Sequence, residues 1–97
     1  MSKKIIKETK YCKILSQASV VDDEYTYCIE RINVKAKNRE EIRFSLYKDT
    51  VRAGNRYIPR SLDVTELELI ELIKVSLKEK IFLNEFLKML KQEVSKL

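Results

Sequence analysis

The hydrophobic pattern of this chain changes period once, and that change sets the class of fold it can adopt. Up to about residue 60, apolar and polar side chains alternate with period two, the mark of strands that bury one face. From Asp63 onward the apolar residues recur at the 3.6-residue period of helices. Strands followed by helices, with no βαβ alternation, give an α+β fold in which helices cover one face of an antiparallel sheet.

The elements can be placed along the chain. A first strand covers Ile6 to Ile14 and is cleanest near Tyr11–Leu15, and the stretch from Ser16 to Glu24 reads as a polar connection closing on Asp22, Asp23 and Glu24. A second strand runs from Tyr25 to Lys37. One of its faces carries Thr26, Cys28, Glu30, Ile32 and Val34; the other carries Tyr25, Tyr27, Ile29, Arg31, Asn33 and Lys35. Lys37 to Glu40 reads as a tight turn in which Asn38 tolerates positive φ. The third strand, Glu41 to Lys48, alternates Ile42, Phe44 and Leu46 with Arg43, Ser45 and Tyr47. A turn around Gly54 leads to a short fourth strand, Arg56 to Ile58, which ends at Pro59 because proline cannot donate to a ladder.

Asp63 followed by Glu66 has the spacing of a capping box, so the first helix is expected from about Val64 to Glu79. A second helix, about Asn84 to Lys96 with Asn84 as cap, carries Phe86, Leu87, Leu90 and Val94. The expected architecture is one domain over residues 1–97, ββββαα: a four-stranded antiparallel meander (about 1–62) packed on two C-terminal helices (about 63–97).

Composition removes most catalytic chemistry. With no histidine there is no Ser–His or Cys–His pair and no histidine-ligated zinc, and a single glycine builds neither a P-loop nor a dinucleotide-binding turn. Cys12 and Cys28 are too few for a disulfide framework or a zinc site and read as buried small hydrophobes. The chain is therefore expected to be non-enzymatic, without cofactor or metal. No stretch approaches the ~20 apolar residues of a membrane span, and Met1-Ser-Lys-Lys lacks the apolar run of a secretory signal. The expected location is the cytoplasm, or the nucleus in a nucleated cell.

Charge is unevenly placed. Residues 1–60 carry 14 basic and 8 acidic side chains against 6 and 7 in residues 61–97, and every arginine lies between Arg31 and Arg60. If the helices cover the apolar face of the sheet, the face left exposed carries tyrosines interleaved with Lys and Arg. Bases stack on aromatic rings while cations follow the backbone, so this face has the parts of a single-strand nucleic-acid surface. Its candidates are Tyr27, Arg31, Lys35, Arg43 and Tyr47, with Arg52 and Arg56 clamping from the turn; Arg43→Ala is expected to weaken binding without unfolding the domain. The competing explanation is that tyrosines are ordinary strand formers shielding their cross-strand neighbours. The helices also carry more apolar residues than one small sheet can cover. That surplus points to an interface through Leu69, Leu72, Phe86 and Leu90, with a homodimer as the expected assembly.

Several segments resemble one family. Glu41-Ile-Arg-Phe-Ser-Leu-Tyr-Lys-Asp49, then Arg52-Ala-Gly-Asn-Arg56, then Ser61-Leu-Asp-Val-Thr-Glu66 are similar to the conserved stretch of the transcriptional positive-cofactor family, in its small bacterial or phage form. The resemblance implies a strongly curved antiparallel sheet followed by a helix, and a dimer whose sheets cradle single-stranded DNA. It places the family's strand arginine at Arg43 and its basic turn at Arg52 and Arg56, with strand aromatics near Tyr27 and Tyr47. The functional expectation is binding of single-stranded nucleic acid, DNA rather than RNA, in transcription or replication. The alternative is a small adaptor or regulatory factor, such as a phage protein, whose apolar helices grip a partner protein.

Overall fold

The structure is a computed structural model, and it describes residues 6–50, 54–59 and 61–97. Five strands form one sheet: β1 (Lys7–Glu8), β2 (Cys12–Asp22), β3 (Tyr25–Val34), β4 (Arg39–Thr50) and β5 (Gly54–Ile58). Two helices follow, α1 (Glu66–Lys78) and α2 (Asn84–Ser95). Each strand pairs antiparallel with its neighbour in sequence, in the order β1-β2-β3-β4-β5. The α+β class, the antiparallel meander and the two C-terminal helices are as the periodicity implied; the strand count is five rather than four.

The extra strand arises at the N-terminal end. Thr9 and Lys10 turn the chain back after two residues of β1, and Lys7 lies opposite Ile14. The segment from Ser16 onward, read above as a connection, continues β2 as far as Asp22. The reason is a β-bulge. Ile14 pairs with Ile32 but Ser16 pairs with Arg31, so Leu15 is an extra residue and the strand bends there. Past the bulge the facing side chains switch from even to odd numbers, which breaks the period-two signal although the ladder is unbroken. The hairpin from β2 to β3 then turns on Asp23, at φ 58°, and the next turns on Asn38, at φ 47°, as its residue type allows.

Helix α1 begins two residues later than the first candidate cap. Thr65, not Asp63, accepts from the Glu68 amide, while Glu68 accepts from the Thr65 amide, a complete capping box. Its C-terminus closes with a Schellman motif: the Ile81 amide donates to Ser76 and the Lys80 amide to Leu77, with Lys80 left-handed at φ 55°. Helix α2 begins at Asn84 itself. Leu83 stands at the cap position, so the side-chain cap expected from Asn84 is not made.

α1 packs on β2 and β3, burying Ala18, Ile29, Leu72 and Ile81 with Val20, Tyr27, Val75 and Phe82 around them. This is the face that was expected to stay exposed. Leu72, an interface candidate, is fully buried here and belongs to the core. β4 lies beyond the reach of α1. Phe44, opposite Ile29, is therefore 56% exposed and Ile42 is exposed as well, although both were expected to be core. The other face buries Cys12, Ile14 and Ile32 without any helix over it. The two edge strands supply residues to one shared cavity on that side, Lys7 from β1 and Tyr57 from β5, so the sheet curls and its concave face buries itself.

Removing a fully buried leucine leaves a cavity that the neighbours fill only in part. Leu72→Ala should lower the unfolding free energy by about 3 kcal/mol, read from urea denaturation followed by far-UV circular dichroism. A change below about 0.5 kcal/mol would return Leu72 to the surface.

Candidate nucleic-acid interface on the concave face

Cross-strand partners share a face, and the register decides which candidates can act together. Tyr27 lies opposite Leu46 and Arg31 opposite Ile42, on the convex, helix-bearing face. Arg43 lies opposite Glu30 and Tyr47 opposite Thr26, on the concave face. The seven candidates therefore do not form one surface. The expectation that β3 and β4 present Tyr27, Arg31, Arg43 and Tyr47 together is corrected by this register, which sets odd residues of β3 against even residues of β4.

On the convex side the candidates have structural partners. Arg31 donates through Nε to the Ile81 carbonyl at 2.8 Å and through a terminal nitrogen to Glu40 at 3.2 Å, tying the α1–α2 turn to β3. Tyr27 packs against the α1 core and donates its hydroxyl to Asp22 at 3.1 Å. Burial, then that hydrogen bond, raises its hydroxyl above its ordinary range. Lys35 donates to the Thr9 carbonyl at 2.7 Å and pairs with Glu8 at 2.5 Å, holding the short β1 in place. Arg56 is exposed on β5 beside Lys48, and Arg52 lies outside the described residues.

The concave face is organised by Glu30, whose side chain is 0% exposed at the middle of β3. A buried carboxylate is tolerated only when donors surround it. Here they come from both neighbouring strands. Gln17 of β2 donates at 2.6 Å, Tyr47 of β4 at 2.8 Å, Arg43 of β4 through Nε and a second nitrogen at 3.0 Å each, and Ser45 through its hydroxyl. No described buried side-chain nitrogen or oxygen lacks a partner. Glu30 shares its face of β3 with the buried Cys28 and Ile32, and its partners give the reason it can stay buried there. Arg43 consequently serves the fold. Removing it leaves a buried carboxylate short of its counter-charge, so the expectation that Arg43→Ala spares the fold does not stand.

Around this hub the curled sheet leaves a groove between its two edges. A cavity of about 490 Å³ is lined by Lys7 and Tyr11 near β1, Tyr57 of β5, and Arg43 and Tyr47 of β4. The Arg43 guanidinium lies 5.3 Å from the centre of the Tyr57 ring, and Tyr57 meets Tyr47 edge to face at 5.8 Å. Tyr11 is 74% exposed and Tyr57 42% exposed, so two rings remain open to a ligand. No carboxylate is among the described residues lining the cavity. Lys7 and Tyr57 were not among the sequence candidates. The signal for them is positional, since only the curl of the sheet brings its first and last strands together.

Two groups on this face, the Cys28 thiol and the Tyr47 hydroxyl, hold their protons more tightly than usual. Burial, reinforced by the Glu30 carboxylate, pushes the Cys28 thiol up to about 12 and raises the Tyr47 hydroxyl strongly. No cluster of potential metal ligands occurs among the described residues, and no described helix is long and apolar enough to cross a membrane. No known protein family, curated protein or solved structure matches this chain.

Both raised groups hold their protons more tightly folded than unfolded, which fixes the sign of the alkaline response. Stability should be level between pH 7 and about 8 and fall once pH passes the ordinary thiol value of 9.0 and then the phenol value of 10.0. The slope per group is limited to about 1.4 kcal/mol per pH unit. Urea midpoints between pH 7 and 11 would show this, and Cys28→Ala should delay the decline by about one pH unit. A midpoint that holds level up to pH 11 would contradict the burial of both groups.

Proposed function

We propose that this protein is a non-enzymatic single-strand nucleic-acid binder that uses the concave groove rather than the face first indicated by the sequence. The observation that supports this reading is the lining of the groove. It has three tyrosine rings, the two cations Lys7 and Arg43, and no described carboxylate, along the open edge of a curled sheet. Stacking on tyrosine is worth roughly 1–3 kcal/mol per base. It is available only to unpaired bases, because a duplex keeps its bases stacked on one another. DNA in transcription or replication is the substrate class that the family resemblance implies, and the resemblance rests on the quoted motifs alone.

The ion pairs bear on the strength of the electrostatic part. Lys35, Lys37, Arg39, Arg43 and Lys48 all have carboxylate partners within 4 Å. Near the groove, Lys7 and Lys10 have none among the described residues. Few cations near the groove are thus free to meet a phosphate, and about two or three neutralised phosphates correspond to a salt slope near −2 for a single strand. By fluorescence anisotropy, a mixed ~20-mer should bind tighter as a single strand than as a duplex, with that shallow slope. Tyr57→Ala should weaken binding about tenfold while the sheet stays folded by far-UV circular dichroism, its lost ring contacts lowering stability by about 1–2 kcal/mol. Equal affinity for duplex, or no binding at low salt, would remove this reading.

A homodimer would use the opposite side of the molecule. None of the α2 residues is buried, and Phe86, Met89, Leu90 and Val94 are exposed together with Leu83. Ile42 and Phe44 of β4 are exposed on the same convex face that α1 covers in part. A second copy would satisfy both, with α2 of each chain laid on the partner's β4; the interface candidates Phe86 and Leu90 would take part, with the half-exposed Leu69 at its margin. Light scattering after gel filtration should then give a dimer at micromolar concentration. Leu90→Asp should give a folded monomer, since Leu90 is exposed and belongs to neither buried core cluster. If the unaltered protein is already monomeric, the same exposure favours the adaptor reading, in which α2 docks on a different protein.

A further inference from the structure

The concave groove does not end at Tyr47. On the far side of that ring lies a second cavity of about 360 Å³, and the two cavities share Lys7, Ile14 and Tyr47. Their chemistry differs. The first compartment is walled by the open rings of Tyr11 and Tyr57. The second offers hydrogen-bonding groups: the Ser19 and Thr26 hydroxyls and the Gln17 side chain. Gln17 spends its amide N–H on Glu30, which leaves its amide oxygen as an acceptor facing away from that bond. Among the described residues neither the Ser19 nor the Thr26 hydroxyl has a hydrogen-bond partner. Tyr47 cannot swing aside to merge the compartments, because its hydroxyl is fixed to the buried Glu30.

From this asymmetry we infer that the groove holds two successive nucleotides of a single strand in unlike subsites, one stacked on Tyr11 and Tyr57, the other read at its base edge by Gln17, Ser19 and Thr26. Lys7 borders both subsites and lies where the intervening phosphate would pass. The inference rests on the single-strand reading of the groove and adds to it a base preference, which stacking alone does not supply. Unpaired bases present their Watson–Crick edges, and hydroxyls can donate or accept to match them. A base that leaves those groups unpaired in a confined site loses affinity, so the edge subsite discriminates while the stacking subsite does not.

The test compares labelled 20-mers of dT, dC and dA by anisotropy against the unaltered protein, Ser19→Ala and the Ser19→Ala/Thr26→Val double variant. The unaltered protein should prefer one homopolymer by about three- to tenfold, the range of one or two net hydrogen bonds. Both variants should narrow the spread between homopolymers, the single variant losing part of the preference and the double variant losing it altogether. Ser19 is exposed and serves as the variant that spares the fold; Thr26→Val keeps the shape of the side chain. Binding of all three homopolymers within twofold, or a preference that survives the double variant, would overturn the edge subsite while leaving the stacking groove in place. Failure of every homopolymer to bind at low salt would overturn the groove reading itself.

Discussion

A carboxylate with no exposure at the centre of a five-stranded sheet needs several donors at once, and Glu30 obtains them from the strands on either side. Gln17 reaches it from β2, and Arg43, Ser45 and Tyr47 reach it from β4. Those bonds do more than satisfy one side chain. They require β2 and β4 to bring their polar residues over the same face of β3, which a flat sheet facing water would not demand. They also hold the Tyr47 ring against the sheet and aim the Arg43 guanidinium at Tyr57. The groove on the concave face is thus shaped from beneath by a charge that never touches solvent. Replacing a buried ionic cluster by apolar residues is often neutral or stabilising. The use of this one lies in positioning the residues above it.

The division of labour between the two faces follows from the same arrangement. With a polar hub beneath it, the concave face cannot take a helix without stranding Arg43 and the tyrosine hydroxyls. The apolar cover therefore falls on the other side, over Ala18 and Ile29. Arg31 closes that side by donating to the carbonyl of Ile81, at the point where the chain leaves α1. Lys80 accepts a left-handed backbone there, a conformation that favours glycine, so that Ile81 can reach the core. α2 starts three residues beyond this anchor and makes no contact with the sheet, so its apolar residues stay in solvent.

The class of fold and the strand polarity were legible because they rest on periodicity, which depends on local spacing alone. The turn residues were legible for the same reason: Asn38 and Gly54 have positive φ at the expected bends. Two things were not. The single extra residue at Leu15 reverses which parity faces the helix, and a reading by alternation lost the strand beyond it. The choice of buried face also turned on Glu30. Both faces of β3 carry apolar residues, so their count does not decide between them, and the helix went to the face holding Tyr27 and Ile29. Arg43 and Tyr47 were singled out as functional for their residue types, and both do line the groove. Tyr57 and Lys7 were not singled out, because contact between the first and last strands is a property of sheet curvature, which no local pattern encodes.

The capping boxes show the limit of local reading in a smaller way. Asp63 with Glu66 and Thr65 with Glu68 have the same spacing and comparable chemistry, so the sequence offers two starts for α1. A cap contributes typically about 1 kcal/mol, as either box would, so local chemistry alone does not choose the start. An Asp63 cap would wind Val64 and Thr65 into the first turn. With the cap at Thr65 both stay outside the helix, and Leu62 and Asp63 line one cavity with Tyr25, Tyr27 and Leu46 of β3 and β4. The start of α1 is thus a property of the whole fold, as the depth of Glu30 is.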